Sequence, residues 1–279
     1  MVELNFLYIL ILVFFGILIG ILGSVMGVGG GVFIVPFLTL VFHIPIKSAI
    51  AISLLSIIAT SSSVASINVE KGITNVRLGT FMEMPMALGS IVSTFIMLRI
   101  NPYILQLLFG FMILPVALSM YYKGRKEKKR SHEKNINFVQ SGKFQYYDSS
   151  LQREIYYDIK KEKIAFIFSF LGGCMSGLFG LGGGIVQVPV MNIISKIPMK
   201  VATSTSNFMI GLSACASVLI LYKNGYIIND IAVFMTIGVV LGGFLGIKFL
   251  SKAKNHTLQI IFSILLMIVS LKMIWSVFR

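Results

Sequence analysis

Two stretches of this chain carry residues whose types and spacing could do chemistry, and neither contains a nucleophile or a metal-ligand set. The first reads Gly27-Val28-Gly29-Gly30-Gly31-Val32-Phe33-Ile34-Val35-Pro36. The second reads Gly180-Leu181-Gly182-Gly183-Gly184-Ile185-Val186-Gln187-Val188-Pro189. Both interrupt sequence that otherwise forms apolar helix. Glycine costs a helix about 1 kcal/mol and proline about 3. In hydrocarbon, a broken helix also strands backbone groups that no water can satisfy, so a break persists only where it is buried in protein or lines a polar cavity. What it offers there is a set of backbone N–H groups at a helix N-terminus with the helix dipole behind them. That is an anion site needing no cationic side chain. Gly29, Gly30 and Gly31, with Gly182, Gly183 and Gly184, are therefore the first candidate binding residues. A methyl group at Gly30 or Gly183 is expected to crowd backbone that must approach the anion, and to deny a positive φ. By duplication the two positions are expected to behave alike. Gly16→Ala, on an ordinary helix, is expected to be tolerated or to affect assembly only.

The second constellation is hydroxyl-rich. Ser53, Ser56, Thr60 and Ser63 recur at helical spacing and share one face. The later run Thr203-Ser204-Thr205-Ser206-Asn207, followed by Ser213 and Ser217, places a comparable face on another helix. Hydroxyls can donate to oxyanion oxygens without holding them by a fixed charge, so Ser53, Thr203, Ser204, Ser206 and Asn207 join the candidates. Single hydroxyls in membrane helices more often serve as glue between helices. Glu83 is the only acidic residue deep within an apolar segment, which makes it a candidate proton carrier or ion partner, with a structural role as the alternative. The glycine runs are not nucleotide loops, because no Gly-Lys-Ser/Thr closes them and no strand precedes them. No His-Glu-x-x-His or other metal spacing occurs, and no cofactor is expected. Cys174 and Cys215 read as small buried hydrophobes.

These residues must be positioned by membrane helices. Of the 279 residues 56% are hydrophobic and 12% charged, too apolar for a soluble domain of this size. The net charge of +14 does not point to nucleic acid: half of the 24 Lys and Arg lie between Lys123 and Lys163, as expected of a cytoplasmic loop. Leu4–Leu22 reads as a first span rather than a signal peptide, lacking a basic leader and a small-residue cleavage site. Gly23–Gly31 follows as the break. Val32–Phe42 is then a helix of half-bilayer length. Ser48–Val69, Arg77–Leu98 and Pro102–Tyr122 are further segments. After the loop the pattern restarts with Ile164–Ser176, Gly177–Gly184, Ile185–Ser195, Val201–Tyr222, Asp230–Leu250 and Thr257–Phe278.

A constant offset of 153 superimposes Gly31 on Gly184, Pro36 on Pro189, Pro45 on Pro198, Lys47 on Lys200, Ser53 on Ser206 and Gly72 on Gly225. The chain is therefore a duplication, with residues 1–122 as first repeat, 123–163 as linker and 164–279 as second repeat. If each short segment only dips into the membrane, the copies are parallel; if each crosses, the second copy is inverted. The positive-inside bias favours inversion, with the central loop cytoplasmic and both termini outside. The expected fold class is thus an all-α polytopic membrane protein of two homologous halves, each with a broken half-helix.

The paired Gly-x-Gly-Gly-Gly…Pro segments, Ala202-Thr203-Ser204 after Ile197-Pro198-Met199-Lys200, and Gly242-Gly243…Gly246 resemble the TauE/SafE sulfite exporter family across both halves. The central loop is longer than that family's pattern, and the first copy has Ala51-Ile52-Ser53 where the second has Ala-Thr-Ser. The resemblance implies a multi-pass permease of a prokaryotic inner membrane. Its substrates would be small sulfur-containing oxyanions such as sulfite or thiosulfate, or organosulfonates, usually moved outward. Lipid is the implied surrounding, and a second copy of the chain is an admissible partner. The expected mechanism is alternating access; an uncoupled anion channel is the alternative, and a non-transporting scaffold a third reading.

Overall fold

The structure, a computed structural model, describes residues 6–130, 142–148, 152–250 and 255–277. It is built from helices α1 (Phe6–Met26), α2 (Gly31–Val41), α3 (Ile46–Glu70), α4 (Val76–Arg99) and α5 (Pro102–Arg130) in the first half. The second half has α6 (Glu162–Phe179), α7 (Gly184–Pro189), α8 (Met199–Lys223), α9 (Asn229–Leu250) and α10 (Asn255–Val277). Seven of the described helical segments are long and apolar enough to cross a membrane, and α2 and the Gly184–Ile194 stretch are the short apolar pieces between them. The protein is an all-α polytopic membrane protein.

The offset seen in sequence recurs in the backbone. Five pairs related by it share a left-handed φ: Gly27 with Gly180, Gly29 with Gly182, Gly30 with Gly183, Gly72 with Gly225, and the non-glycine pair His43 (52°) and Lys196 (59°). Pro45 and Pro198 stand before the first residues of α3 and α8 with nearly the same ψ, 134° and 140°. The copies differ after the second proline, where Val190–Ile194 continues α7 as a π-turn.

Each half completes itself on the other. Helix α1 packs against α9, the counterpart of α4, and α4 packs against α6, the counterpart of α1. Small residues permit this close approach: Gly16 and Gly20 meet Gly238, Val239 and Gly243, and Gly173 and Gly177 meet Met86 and Ser90. Residue numbers rise together across both interfaces, so these helices run parallel. Helices α4 and α8 also run parallel, with Gly79 against Thr205 and Phe208, and Ser90 hydrogen-bonded to Ser217 further along. By contrast, α3 and α8 run antiparallel at the centre. Ser61 lies on Gly211 midway along both helices, whereas Asn75, just past the end of α3, binds Thr205 near the start of α8. The Ser/Thr faces carry hydrogen bonds both between helices and within them. Ser217 bonds Ser90 and accepts from Thr94 at 2.8 Å, Ser56 bonds Thr236 at 3.2 Å, and Thr60 and Ser213 bond carbonyls of their own helices.

The region expected as a linker loop holds more structure than its charge suggests. Helix α5 continues to Arg130, and Phe144–Asp148 (β1) pairs antiparallel with Arg153–Tyr157 (β2) in register Phe144 with Tyr157 and Asp148 with Arg153. The cysteines also differ from expectation: Cys174 is half-buried and Cys215 is exposed. An apolar side chain gains nothing by burial when the surroundings are hydrocarbon, so the usual inward preference of cysteine does not operate. The chain ends, whose sidedness the charge bias predicts, lie outside the described residues.

Candidate functional site

The two glycine breaks meet at the centre of the molecule. Helix α1 runs on to Met26, past the expected start of the break, and the Gly27 N–H donates back to the Gly23 carbonyl at 3.0 Å. In α6 the Gly180 N–H does the same to Ser176 at 2.8 Å. Consecutive left-handed glycines then turn the chain, and Gly30 (φ 84°) and Gly183 (φ 72°) stand as the caps of the short helices. Only glycine enters this conformation without strain. The Gly30 carbonyl accepts from Phe33 and Ile34, and the Gly183 carbonyl from Val186 and Gln187. Among the described residues, the N–H groups of Gly29, Gly30, Gly31 and Val32 and those of Gly182, Gly183, Gly184 and Ile185 have no hydrogen-bond acceptor. These are the donors that a helix start leaves unpaired.

Two serines lock the breaks together across the halves. The Ser53 hydroxyl donates to the Gly180 carbonyl at 2.7 Å, and its counterpart Ser206 donates to the Gly27 carbonyl at 2.8 Å. Asn207 adds a bond from its side-chain amide to the Ser24 carbonyl at 3.2 Å. Gly29 and Gly182 both rest on the same pair, Ile57 and Ile210, themselves related by the offset and fully buried. The structure thus brings Gly29–Gly31, Gly182–Gly184, Ser53, Ser206 and Asn207 into one place. The hydroxyl hydrogens of Ser53 and Ser206, expected to face an anion, are engaged by glycine carbonyls in this conformation.

Thr203 and Ser204 are placed differently. They lie one turn nearer the start of α8, with Thr203 against Gly27, and are only 7% and 6% exposed. Neither hydroxyl has a hydrogen-bond partner among the described residues. The first half answers them with Ile50 and Ala51, both fully buried. Thr205 accepts from the Asn75 N–H at 3.0 Å, and Asn75 caps α4 by accepting from the Leu78 N–H at 3.0 Å.

Glu83 is buried on α4, and neither carboxylate oxygen has a partner among the described residues. The offset explains the vacancy. Its counterpart Thr236 bonds Ser56, and the position equivalent to Ser56 is Met209, which has no hydrogen to donate.

The expected effect of a methyl at the breaks needs correction. At Gly30 an added Cβ would stand 2.9 Å from Ile19 Cγ2, and at Gly183 it would stand 2.5 Å from the Gly172 carbonyl oxygen and 2.6 Å from Met86 Cε. The methyl would meet packing neighbours rather than the space before the unpaired N–H groups, and the two sites are not equally tight. Gly16 is also less ordinary than expected: its Cβ would stand 3.0 Å from the α9 backbone, so alanine there strains the helix interface.

Sequence reasoning missed the contribution of the hairpin. The Asn75 side-chain amide donates to the Tyr157 hydroxyl at 3.0 Å, and Lys200 pairs with Asp148 at 2.5 Å. Asp148, 4% exposed, also accepts from Tyr146 at 3.3 Å. Burial first, and then the Asp148 charge, push the Tyr146 phenol above its ordinary range and keep it a donor. Alternation of Phe144, Tyr146 and Asp148 with outward residues was the available strand signal.

Paired helix breaks at the interface of two intertwined halves, within a bundle of apolar helices, define a membrane permease. The family comparison agrees: the chain belongs to the TauE/SafE sulfite exporter family, whose family model matches residues 12–273. It is 29% identical over 274 residues to the probable membrane transporter protein YunE of Bacillus subtilis, covering 95% of this chain and 97% of that one. A probable membrane transporter protein of Methanocaldococcus jannaschii is 28% identical over 291 residues, with 98% of each chain covered. Sulfite exporter TauE/SafE family protein 5 of Arabidopsis thaliana is 33% identical over 85 residues, 30% of this chain and 19% of that one. No solved structure matches the chain significantly.

Proposed function

We propose that the protein is a secondary transporter of small sulfur-containing anions, sulfite, thiosulfate or small sulfonates, working by alternating access as an exporter. The observation that carries this reading is the pair of unpaired N–H sets, Gly29–Val32 and Gly182–Ile185, brought together by the reciprocal serine bonds. Such donors bind an oxyanion through hydrogen bonds and the dipoles of α2 and α7. Thr203 and Ser204 add uncommitted hydroxyls beside them. Ser53, Ser206 and Asn207 hold the breaks in one state and are freed to meet the anion as the halves rock apart.

The antiparallel run of α3 and α8 supports an inverted repeat with its pseudo-twofold axis in the membrane plane. The central loop then faces the cytoplasm of a prokaryotic inner membrane, and the termini face outward. Glu83 is the coupling candidate, because an embedded carboxyl without a partner is by default an ion or proton carrier. The test is flux in proteoliposomes across sulfite, thiosulfate, sulfate and small sulfonates, with and without a pH gradient. Saturable uptake with countertransport against a gradient is expected. Non-saturating flux would make the protein a channel, and no flux of any of these anions would refute the reading.

A further inference from the structure

Three surfaces outside the glycine crossing are built of polar groups: the hydroxyl cluster of Ser90, Thr94 and Ser217, the cleft of about 330 Å³ between β1 and α4 lined by Arg77, Lys143 and Glu162, and the start of α8 beneath the hairpin. The first satisfies itself internally, and the second mixes both signs of charge. The third has polar groups still unsatisfied and a carboxylate already seated on it.

Along α8 the polar groups form a ladder from the surface to the crossing. Lys200, its side chain 40% exposed, is the outer rung; Thr203 and Ser204 are the middle rung; Ser206, bound to Gly27, is the inner one. The counterpart ladder on α3 reads Lys47, Ile50, Ala51 and Ser53. There the lysine is buried, donates to the Leu98 carbonyl at 2.8 Å, and stands 6.0 Å from the centre of the Tyr226 ring, with no acid on it. Among the described residues, hydroxyls thus lead from the helix start to the break on α8 and not on α3. At the start of α8 the hairpin is fastened three times: Asp148 to Lys200, Tyr157 through Asn75 to Thr205, and the Lys160 N–H to the Ser195 carbonyl at 3.0 Å.

We propose that Lys200, Thr203 and Ser204 form an anion-entry subsite leading to the glycine crossing, and that the β1–β2 hairpin is its gate, with the Asp148 carboxylate seated where a substrate anion is first received. Helix α8 contributes the positive end of its dipole, and Lys200 a full positive charge. A carboxylate and a sulfur oxyanion compete for the same cation and cannot share it. Entry thus requires the Asp148–Lys200 pair to open and the hairpin to lift with it. The substrate identity rests on the transport reading above; the gate does not.

The experiment uses the full chain with Cys174→Ser and Cys215→Ser, and Thr203→Cys as reporter. It reads the rate at which an anionic and a neutral thiol reagent of similar size label position 203. Asp148→Asn should speed anionic labelling about tenfold. Lys200→Gln should speed neutral labelling but leave the anionic rate within about twofold of the parent. The reversed pair, Asp148→Lys with Lys200→Asp, should restore slow labelling, and monodispersity in detergent controls for folding. Equal anionic labelling in the parent and Asp148→Asn proteins would overturn the gate.

In parallel, cysteines from Asp148→Cys and Lys200→Cys joined by a short reducible crosslinker should abolish anion flux, and reductant should restore it. Full flux in the crosslinked protein would also overturn the gate. Labelling that responds as expected in a protein moving no sulfur anion would leave the gate standing and remove the transport reading. Saturable flux with unresponsive labelling would do the reverse.

Discussion

Alanine at Gly225, Gly30 and Gly183 separates backbone conformation from crowding, because the three share a left-handed φ (73°, 84° and 72°) in different surroundings. At Gly225 an added Cβ has nothing within 4 Å, so the cost is that of the left-handed conformation alone, about 1 kcal/mol. At Gly30 the methyl presses on Cγ2 of Ile19, the branch methyl next to the α1 backbone, so that side chain must shift against its stiff χ1 and the cost rises to about 2 kcal/mol. At Gly183 it meets a backbone carbonyl oxygen at 2.5 Å as well as Met86, and α6 must shift, for roughly 4 kcal/mol or more. At about 2–4 °C per kcal/mol for a chain of this order, thermal unfolding in detergent should rank Gly225→Ala, Gly30→Ala, Gly183→Ala in increasing loss. Gly183→Ala should fall near or below the limit of recoverable protein. Flux per folded molecule should survive Gly225→Ala and fail in Gly30→Ala, whose strain acts directly on the cap of α2. If Gly183→Ala unfolds no earlier than Gly225→Ala, the packing of the second break is not as described. If Gly30→Ala transports normally, strain at the cap of α2 does not reach the transport site.

Ser53→Ala and Ser206→Ala each leave a buried glycine carbonyl without its donor, for about 1–3 kcal/mol, and should destabilise by similar amounts in the same unfolding assay. Glu83→Gln should flatten the pH dependence of flux in a protein that still folds; an unchanged profile would reassign Glu83 to structure. Cysteines at positions 2 and 279, in the background lacking the native pair, should label from the periplasmic side; cytoplasmic labelling of both would reverse the proposed orientation and place the central loop outside.

Much of this architecture was legible because membrane helices write themselves as length and hydropathy. The offset of 153 was also legible, since it pairs residues with special backbone needs: proline, glycine, and lysine at a helix start. Helix bounds shifted most in α5, which runs on into the basic segment as far as Arg130, and less in α1, which continues through Gly23 because its first turn of break is still hydrogen-bonded. The opposite partners of each side chain were less accessible. Helical spacing put Ser53 and Ser206 on a face, but not the fact that the facing atoms are carbonyls of the other half. Nor could it show that the neighbours of Gly30 and Gly183 differ. The hairpin was masked by the charges around it, although Phe144, Tyr146 and Tyr157 alternate as a strand requires. The cysteine exposures were illegible for a physical reason: against lipid, an apolar side chain gains nothing by facing inward.

The duplication acts as an internal control on what the fold itself demands. Positions that match across the halves, Ser53 with Ser206 and each left-handed glycine with its counterpart, do the same structural work twice. Positions that diverge include Ile50 with Thr203, Ala51 with Ser204, Ile52 with Thr205, Ile228 with Asn75 and Thr236 with Glu83. The polar member of the first four pairs lies on α8 or on the α4 cap that binds it, and Glu83 lies on α4, which packs beside it. Apolar residues serve the same positions of α3 while fully buried, so hydroxyls there are not a condition of folding. A hydroxyl kept where an apolar side chain serves the fold equally well calls for something outside the fold that binds it. Thr203→Ile with Ser204→Ala, which copies the first half onto the second, should therefore leave thermal stability equal or higher while flux per folded molecule falls by an order of magnitude or more. A copied protein that loses stability would show that Thr203 and Ser204 hold the bundle together. One that keeps its flux would place the anion's route elsewhere.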